Sequence, residues 1–246
     1  MKRRSKEEVE IRNTLSELLI LSLRFSDRAL LLYTILLYCQ FADLGVGSKV
    51  RLSDLLEKNG KYESWLKSSW KEVSKEPSFH GVFGVFKVDS ENNIQIKSDF
   101  EDHLSTICAK VKGYWSLVSR LYSEEKKHES GVQDVVTKGI LLFNEGFYFE
   151  CHEFLEEAWK REGGKEKSFL KGLIHAAVAF YHLEYENYKG TLNYLSRSYL
   201  RLKEFEPVFL GMDVKAFLVD IEGFLNSLQE SESPILKNAI PKIRFV

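Results

Sequence analysis

A chain of 246 residues with 35 Lys and Arg against 36 Asp and Glu has a net charge of −1, which excludes a global pull toward nucleic acid or an anionic membrane. Its 44% hydrophobic and 29% charged residues are those of a globular protein, and the length suits one large domain or two small ones. The three cysteines, Cys39, Cys108 and Cys151, are far apart and odd in number, so free thiols in a reducing, cytoplasmic setting are expected rather than a disulfide framework.

The basic start, Met1 to Lys6, runs into Glu7 and Glu8 rather than an apolar core and is no signal peptide. Residues 7–24 read as an amphipathic helix with Ile11, Leu15, Leu18 and Leu19 on one side and Ser22 interrupting the stripe. Ser26 is placed to cap a second helix from Asp27 to about Ala42. Within it the most apolar run, Ala29 to Phe41, is too short to span a bilayer, and no membrane contact is expected. Lys49 to Leu52 is a short strand. Ser53 caps a short helix from Asp54 to Lys58, and another runs from about Tyr62 to Ser74. The period then changes to two: Val82–Val88 and Ile94–Lys97 read as a hairpin around a turn-rich loop. This order, over residues 26–98, resembles the topology of a winged helix-turn-helix domain, with no motif to support it.

In that resemblance the helix at 62–74 would be the recognition helix. Ser64, Lys67, Ser68, Lys71 and Lys75 share the face opposite Trp65, Leu66, Trp70 and Val73, and Arg51 and Lys61 flank it. That face suits phosphate contact. Glu63, Glu72 and Glu76 dilute it, and Asp89 and Glu91 sit at the wing tip. A DNA partner, a protein partner and a merely solvated lysine face all stay open.

Ser98-Asp99-Phe100-Glu101 reads as a capping box opening a long helix to about Tyr122. Phe100, Leu104, Ile107, Val111, Trp115, Val118 and Tyr122 line one side of it. The charged stretch after Ser123 divides a winged-helix-like domain, 1–125, from an all-helical domain, 131–246. Helices are expected at 132–144, 147–162, 166–185 and 188–204. Gly146 and Asn187 mark comparable corners, so two helical hairpins would stack much as tetratricopeptide repeats do. Asp213 caps a fifth helix to about Leu228, and Pro234 to Val246 is extended along the surface. The expected fold class is mainly α, an α+β winged-helix-like part followed by a helical-hairpin bundle.

The centre of the chain is Phe143 to Trp159. Asn144-Glu145-Gly146 reads as a helix stop, because Asn and Gly tolerate the left-handed conformation. In the helix that follows, Cys151 is a small buried apolar residue, Glu150, Glu153 and Glu157 face water, and His152 and Glu156 stand one above the other at the margin of the apolar face. Phe169-Leu170-Lys171-Gly172-Leu173-Ile174, His182, and Asn187-Tyr188-Lys189-Gly190 form two further blocks. Together the three blocks, over residues 131–205, resemble the domain of unknown function 309 family. Cys151, Lys171 and His175 depart from its usual residues. The resemblance implies an all-helical fold and carries no assigned activity.

His152-Glu153-Phe154-Leu155-Glu156 resembles the zinc-protease helix, with Glu156 where the second histidine would stand. His175 and His182, seven apart on the next helix, could turn back toward His152. That gives candidate catalytic residues His152, Glu153, Glu156 and His182, and candidate ligands His152, Glu156, His175 and His182 should a metal be held. The plainer reading is a hydrogen-bonded polar cluster, with no metal and no cofactor. Phe147, Tyr148, His152, Trp159 and Tyr181 would line an aromatic groove. The chain therefore reads as a regulatory or adaptor protein that binds DNA or a protein partner through its first domain. The alternative is a metal-dependent, hydrolase-like enzyme using His152, Glu156 and His182.

Overall fold

A computed structural model gives the fold and describes residues 4–25, 28–43, 49–51, 84–89, 93–123, 131–230 and 240–246. Ser26, the helices expected at 54–58 and 62–74, and with them Lys61, Ser64, Lys67, Ser68, Lys71 and Lys75, lie outside those residues. Among the described residues the fold is mainly α, with eight α-helices and short strand pairs. It consists of two compact units, Arg3–Glu125 and Lys126–Val246.

In the first unit α1 spans Lys6–Arg24. A reciprocal capping box starts it: Glu8 N–H donates to Ser5 Oγ at 3.1 Å, and Ser5 N–H donates to the Glu8 carboxylate at 2.9 Å. Ser22 is buried within the leucine stripe because its hydroxyl donates to the Leu18 carbonyl at 2.7 Å. Helix α2, Ala29–Asp43, packs on α1 and on α3, Leu104–Ser123. The capping box expected at Ser98 does not form. Ser98–His103 is a 3-10 turn in which Phe100 N–H bonds the Lys97 carbonyl and the Ser98 hydroxyl goes to Asp99. A second correction concerns the cysteines. Cys39 of α2 and Cys108 of α3, 69 residues apart in sequence, form a disulfide. Sequence distance is no guide once two apolar helices pack side by side, so the cysteines lend no support to a reducing compartment.

Among its described residues this unit also has three short strands, β1 Lys49–Arg51, β2 Phe86–Val88 and β3 Asn93–Ile96, antiparallel in the order β1-β3-β2. The sheet is fixed to α2 through Tyr38, whose hydroxyl accepts from Ile96 N–H at 3.2 Å and whose ring meets the edge of Phe86. The Asp89 carboxylate closes the hairpin, taking the backbone and side-chain N–H of Asn93 at 3.0 Å.

The second unit contains α4 Val132–Asn144, α5 Tyr148–Arg161, α6 Gly164–Glu184, α7 Tyr188–Leu202 and α8 Val214–Glu230. Helix α6 packs between α5 and α7. Two corners shape it. At the first, Phe147 N–H bonds the Leu142 carbonyl and Gly146 N–H the Phe143 carbonyl, with Gly146 at φ 83°. At the second, Asn187 N–H bonds the His182 carbonyl and Glu186 N–H the Leu183 carbonyl, with Glu186 at φ 55°. Both are Schellman motifs. The residue equivalent to Gly146 is thus Glu186, not Asn187, which occupies the position of Phe147.

Phe143 organises the core, meeting Tyr148, Phe180 and Phe217 edge-on at 5.3, 5.5 and 5.7 Å. Gly139 lets α5 approach α4, since a Cβ there would lie 2.6 Å from a Leu155 methyl. The Asp213 carboxylate caps α8 through Ala216 N–H at 2.9 Å. The hairpin β4 Val208–Phe209 and β5 Met212–Asp213 was not expected; Leu210 and Gly211 turn it, both at positive φ. Of the terminal segment, residues 240–246 are described and run extended, with Pro241 and Ile243 turned inward and Lys242, Arg244, Phe245 and Val246 exposed. Ile243 is buried, and Phe245 bridges to Met212. No helix among the described residues is long and apolar enough to cross a membrane.

Candidate functional site

Helix α5 buries Tyr148, Cys151, Phe154, Leu155 and Ala158. Helical spacing then sets where its polar groups go. Glu150, expected in water, is instead buried, since it shares the inward side with Cys151 and Phe154. The Cys151 thiol donates to the Gly139 carbonyl at 3.3 Å, and burial pushes its pKa upward, so it is a packed thiol rather than a nucleophile.

His152 does not pair with Glu156. Its Nε2 lies 2.9 Å from a carboxylate oxygen of Glu153, the adjacent residue. The ring rests against Phe149 and Tyr181, with centroids at 5.0 and 6.3 Å, and Tyr181 continues to Tyr185 at 5.3 Å. His152 Nδ1 is buried with no hydrogen-bond partner among the described residues. Glu156 is 4.0 Å from Lys171 Nζ.

His175 and His182 turn to the other neighbour, α7. Both contact Tyr194: His182 is stacked on it at 5.3 Å, and His175 meets it edge-on at 5.8 Å. His182 Nδ1 is 2.9 Å from the Asn187 amide nitrogen. The Asn187 side-chain oxygen, Oδ1, in turn accepts Gly190 N–H at 3.1 Å and caps α7. Gly190 makes room for this arrangement, because a Cβ there would lie 2.8 Å from the His182 ring. Burial lowers the pKa of both histidines. For His175 the cations Lys171, Arg201 and Arg197 add to burial and carry it to about 4. Both are therefore neutral near pH 7.

The proposed set is thus divided. Tyr181 and His182 are consecutive on α6 and point about 100° apart, so what faces His152 cannot also face Tyr194. Among the described residues no three His, Cys, Asp or Glu side chains come together as a metal's ligands would. The aromatic groove is divided as well. Tyr148 is in the core, and Phe149, His152, Tyr181 and Tyr185 form an aromatic row. Trp159 stands apart, beneath the ammonium groups of Lys167 and Lys171 at 4.7 and 4.6 Å from its ring centre. In the first unit Arg51 is exposed on β1.

Sequence reasoning overlooked Tyr194 and placed Glu150 in water. Tyr194 lies one helical turn beyond Gly190, on the same face, and that spacing was a usable signal. Nothing local distinguishes Glu150 from the half-buried Glu153.

Known proteins resemble the same region. Residues 136–194 match the family described as "Domain of unknown function (DUF309)". The "Uncharacterized protein YpuF" of Bacillus subtilis (strain 168) is 44% identical over 52 residues, 21% of this chain and 30% of that protein. The chain thus spans under a third of the length of the curated relative it matches. The match encloses His152, His175, His182, Asn187, Gly190 and Tyr194, and it is this segment, with its three sequence blocks, that is similar to the domain of unknown function (DUF309) family.

Proposed function

We propose that the chain is a regulatory or adaptor protein that acts by binding, its N-terminal unit engaging DNA or a protein partner. The observation that carries this reading is the division of the histidines. A hydrolase using His152, Glu156 and His182 needs those groups around one reacting atom. Instead His152 is held by Glu153, Phe149 and Tyr181, while His182 is held by Asn187 and Tyr194. The strand order β1-β3-β2, with α1 to α3 packed together, is compatible with a winged-helix arrangement. The lysines at 67, 71 and 75 supply the charge that a phosphate backbone would meet.

The test is a duplex-DNA binding titration at several salt concentrations. Binding that weakens steeply with salt, and is lost in the Lys67→Glu/Lys71→Glu variant, supports a DNA partner. Absence of salt-dependent binding, with a protein recovered through the same lysine face, supports a protein partner. If hydrolytic activity depended on both His152 and His182, the binding reading would be wrong.

A further inference from the structure

Lys167 and Lys171 are one turn apart on α6, and Arg201 comes from α7. With Trp159, Gly164 and Ser168 they line an open depression of about 350 Å³. Three cations converge there, and none of them makes a close ion pair among the described residues. Lys167 donates to a carbonyl, that of Glu162, at 3.2 Å. Arg201 donates to the Ser168 hydroxyl at 3.3 Å. Among the described residues two carboxylates come near: Glu156, 4.0 Å from Lys171, and Glu166, whose oxygen would lie 3.5 Å from a Cβ placed on Gly164. Like charges one turn apart on a helix repel each other. Here the face of the Trp159 indole draws both ammonium groups together.

We propose that this depression binds the phosphoryl group of a small soluble phosphate ester or diphosphate. The guanidinium of Arg201 offers a planar fork to phosphate oxygens, and the two ammonium groups supply mobile donors. Ser168 accepts from Arg201, so its own proton is left to donate to the anion. Gly163 gives α6 no side-chain cap, and Gly164, the first residue of that helix, lines the depression. The positive field also extends inward, since Lys171, Arg201 and Arg197 all act on His175. This site is independent of any partner of the N-terminal unit.

The experiment is calorimetric titration of the full chain with pyrophosphate and with ADP, in phosphate-free buffer at low salt. The expected result is saturable one-site binding tighter than about 1 mM. Lys171→Ala and Arg201→Ala should each weaken it by about tenfold or more. Lys215→Ala, an exposed lysine on α8, should leave it unchanged. Tighter binding of ADP, reduced in Trp159→Phe, would identify a nucleotide; equal affinities would identify the phosphoryl group alone. Either outcome upholds the site. No binding of either probe below about 1 mM, or equal weakening by Lys215→Ala, overturns it.

Discussion

Asn144 and Ile243, 99 residues apart, hold each other through two hydrogen bonds. The Asn144 amide donates to the Ile243 carbonyl at 2.8 Å and accepts Ile243 N–H at 2.9 Å. One side chain thus pairs with the extended segment as a neighbouring strand would, and Lys242 adds a bond from its ammonium to the Asn144 carbonyl. Asn144→Ala removes both partners of a half-buried backbone. It is expected to cost about 2 kcal/mol, read from urea unfolding. Asn144→Asp, which keeps the acceptor and loses the donor, should fall in between.

The two Schellman corners predict opposite effects of glycine. Glu186 holds a left-handed φ of 55° that costs an L-residue about 1–2 kcal/mol. Glu186→Gly should therefore raise stability by up to about 1 kcal/mol, after the entropy that glycine adds to the unfolded chain. Gly146→Ala should lower it by about 1–2 kcal/mol, although nothing lies within 4 Å of the new methyl. Thermal unfolding of the two variants beside the parent checks both signs.

Gly190→Ala pushes a methyl into the His182 ring and the Asn187 amide. A loss of about 1–3 kcal/mol is expected. In a His182→Ala background the ring is gone and the Asn187 amide loses the partner that holds it in the way, so the double variant should be more stable than the sum of the single losses implies, by about 0.5 kcal/mol or more. Strict additivity would mean that the two residues do not share this space.

Stability should fall with acid between pH 6.5 and about 4. The folded-state pKa values of His175 and His182 are depressed, that of His175 to about 4, below an ordinary imidazole value of about 6.5. In that window the unfolded chain binds the proton first, so protonation favours unfolding. The contribution is complete above pH 6.5 and is lost as pH drops toward 4. His175→Asn should flatten the slope of unfolding free energy against pH across that range, relative to the parent. Among the described residues Lys171, Arg197, Arg201 and Tyr194 face His175.

The helices were legible because their apolar positions recur at a single period, as Phe217, Leu218, Ile221 and Phe224 do in α8. The corner at Gly146 was legible for a local reason, the left-handed tolerance of glycine. What sequence could not supply was the direction of polar side chains across helices. His175 and His182 share a face, but whether that face meets α5 or α7 depends on the rotation of α6. Phe180, packed on Phe143 and Phe224, fixes that rotation. The Cys39–Cys108 pairing and the Asn144–Ile243 clasp are contacts between distant residues, and no window of local pattern contains them. The capping box at Ser5 and Glu8 was visible and overlooked, whereas the one at Ser98 had the right letters and a backbone that took a tighter turn.

The burial of Cys151 has a practical consequence. With Cys39 and Cys108 joined to each other and the third sulfur covered by Gly139 and its neighbours, the native fold offers maleimide or iodoacetamide nothing to alkylate. The rate at which such a reagent finally reacts is then a clock for the opening of the second unit, read from a single natural label without engineering the chain.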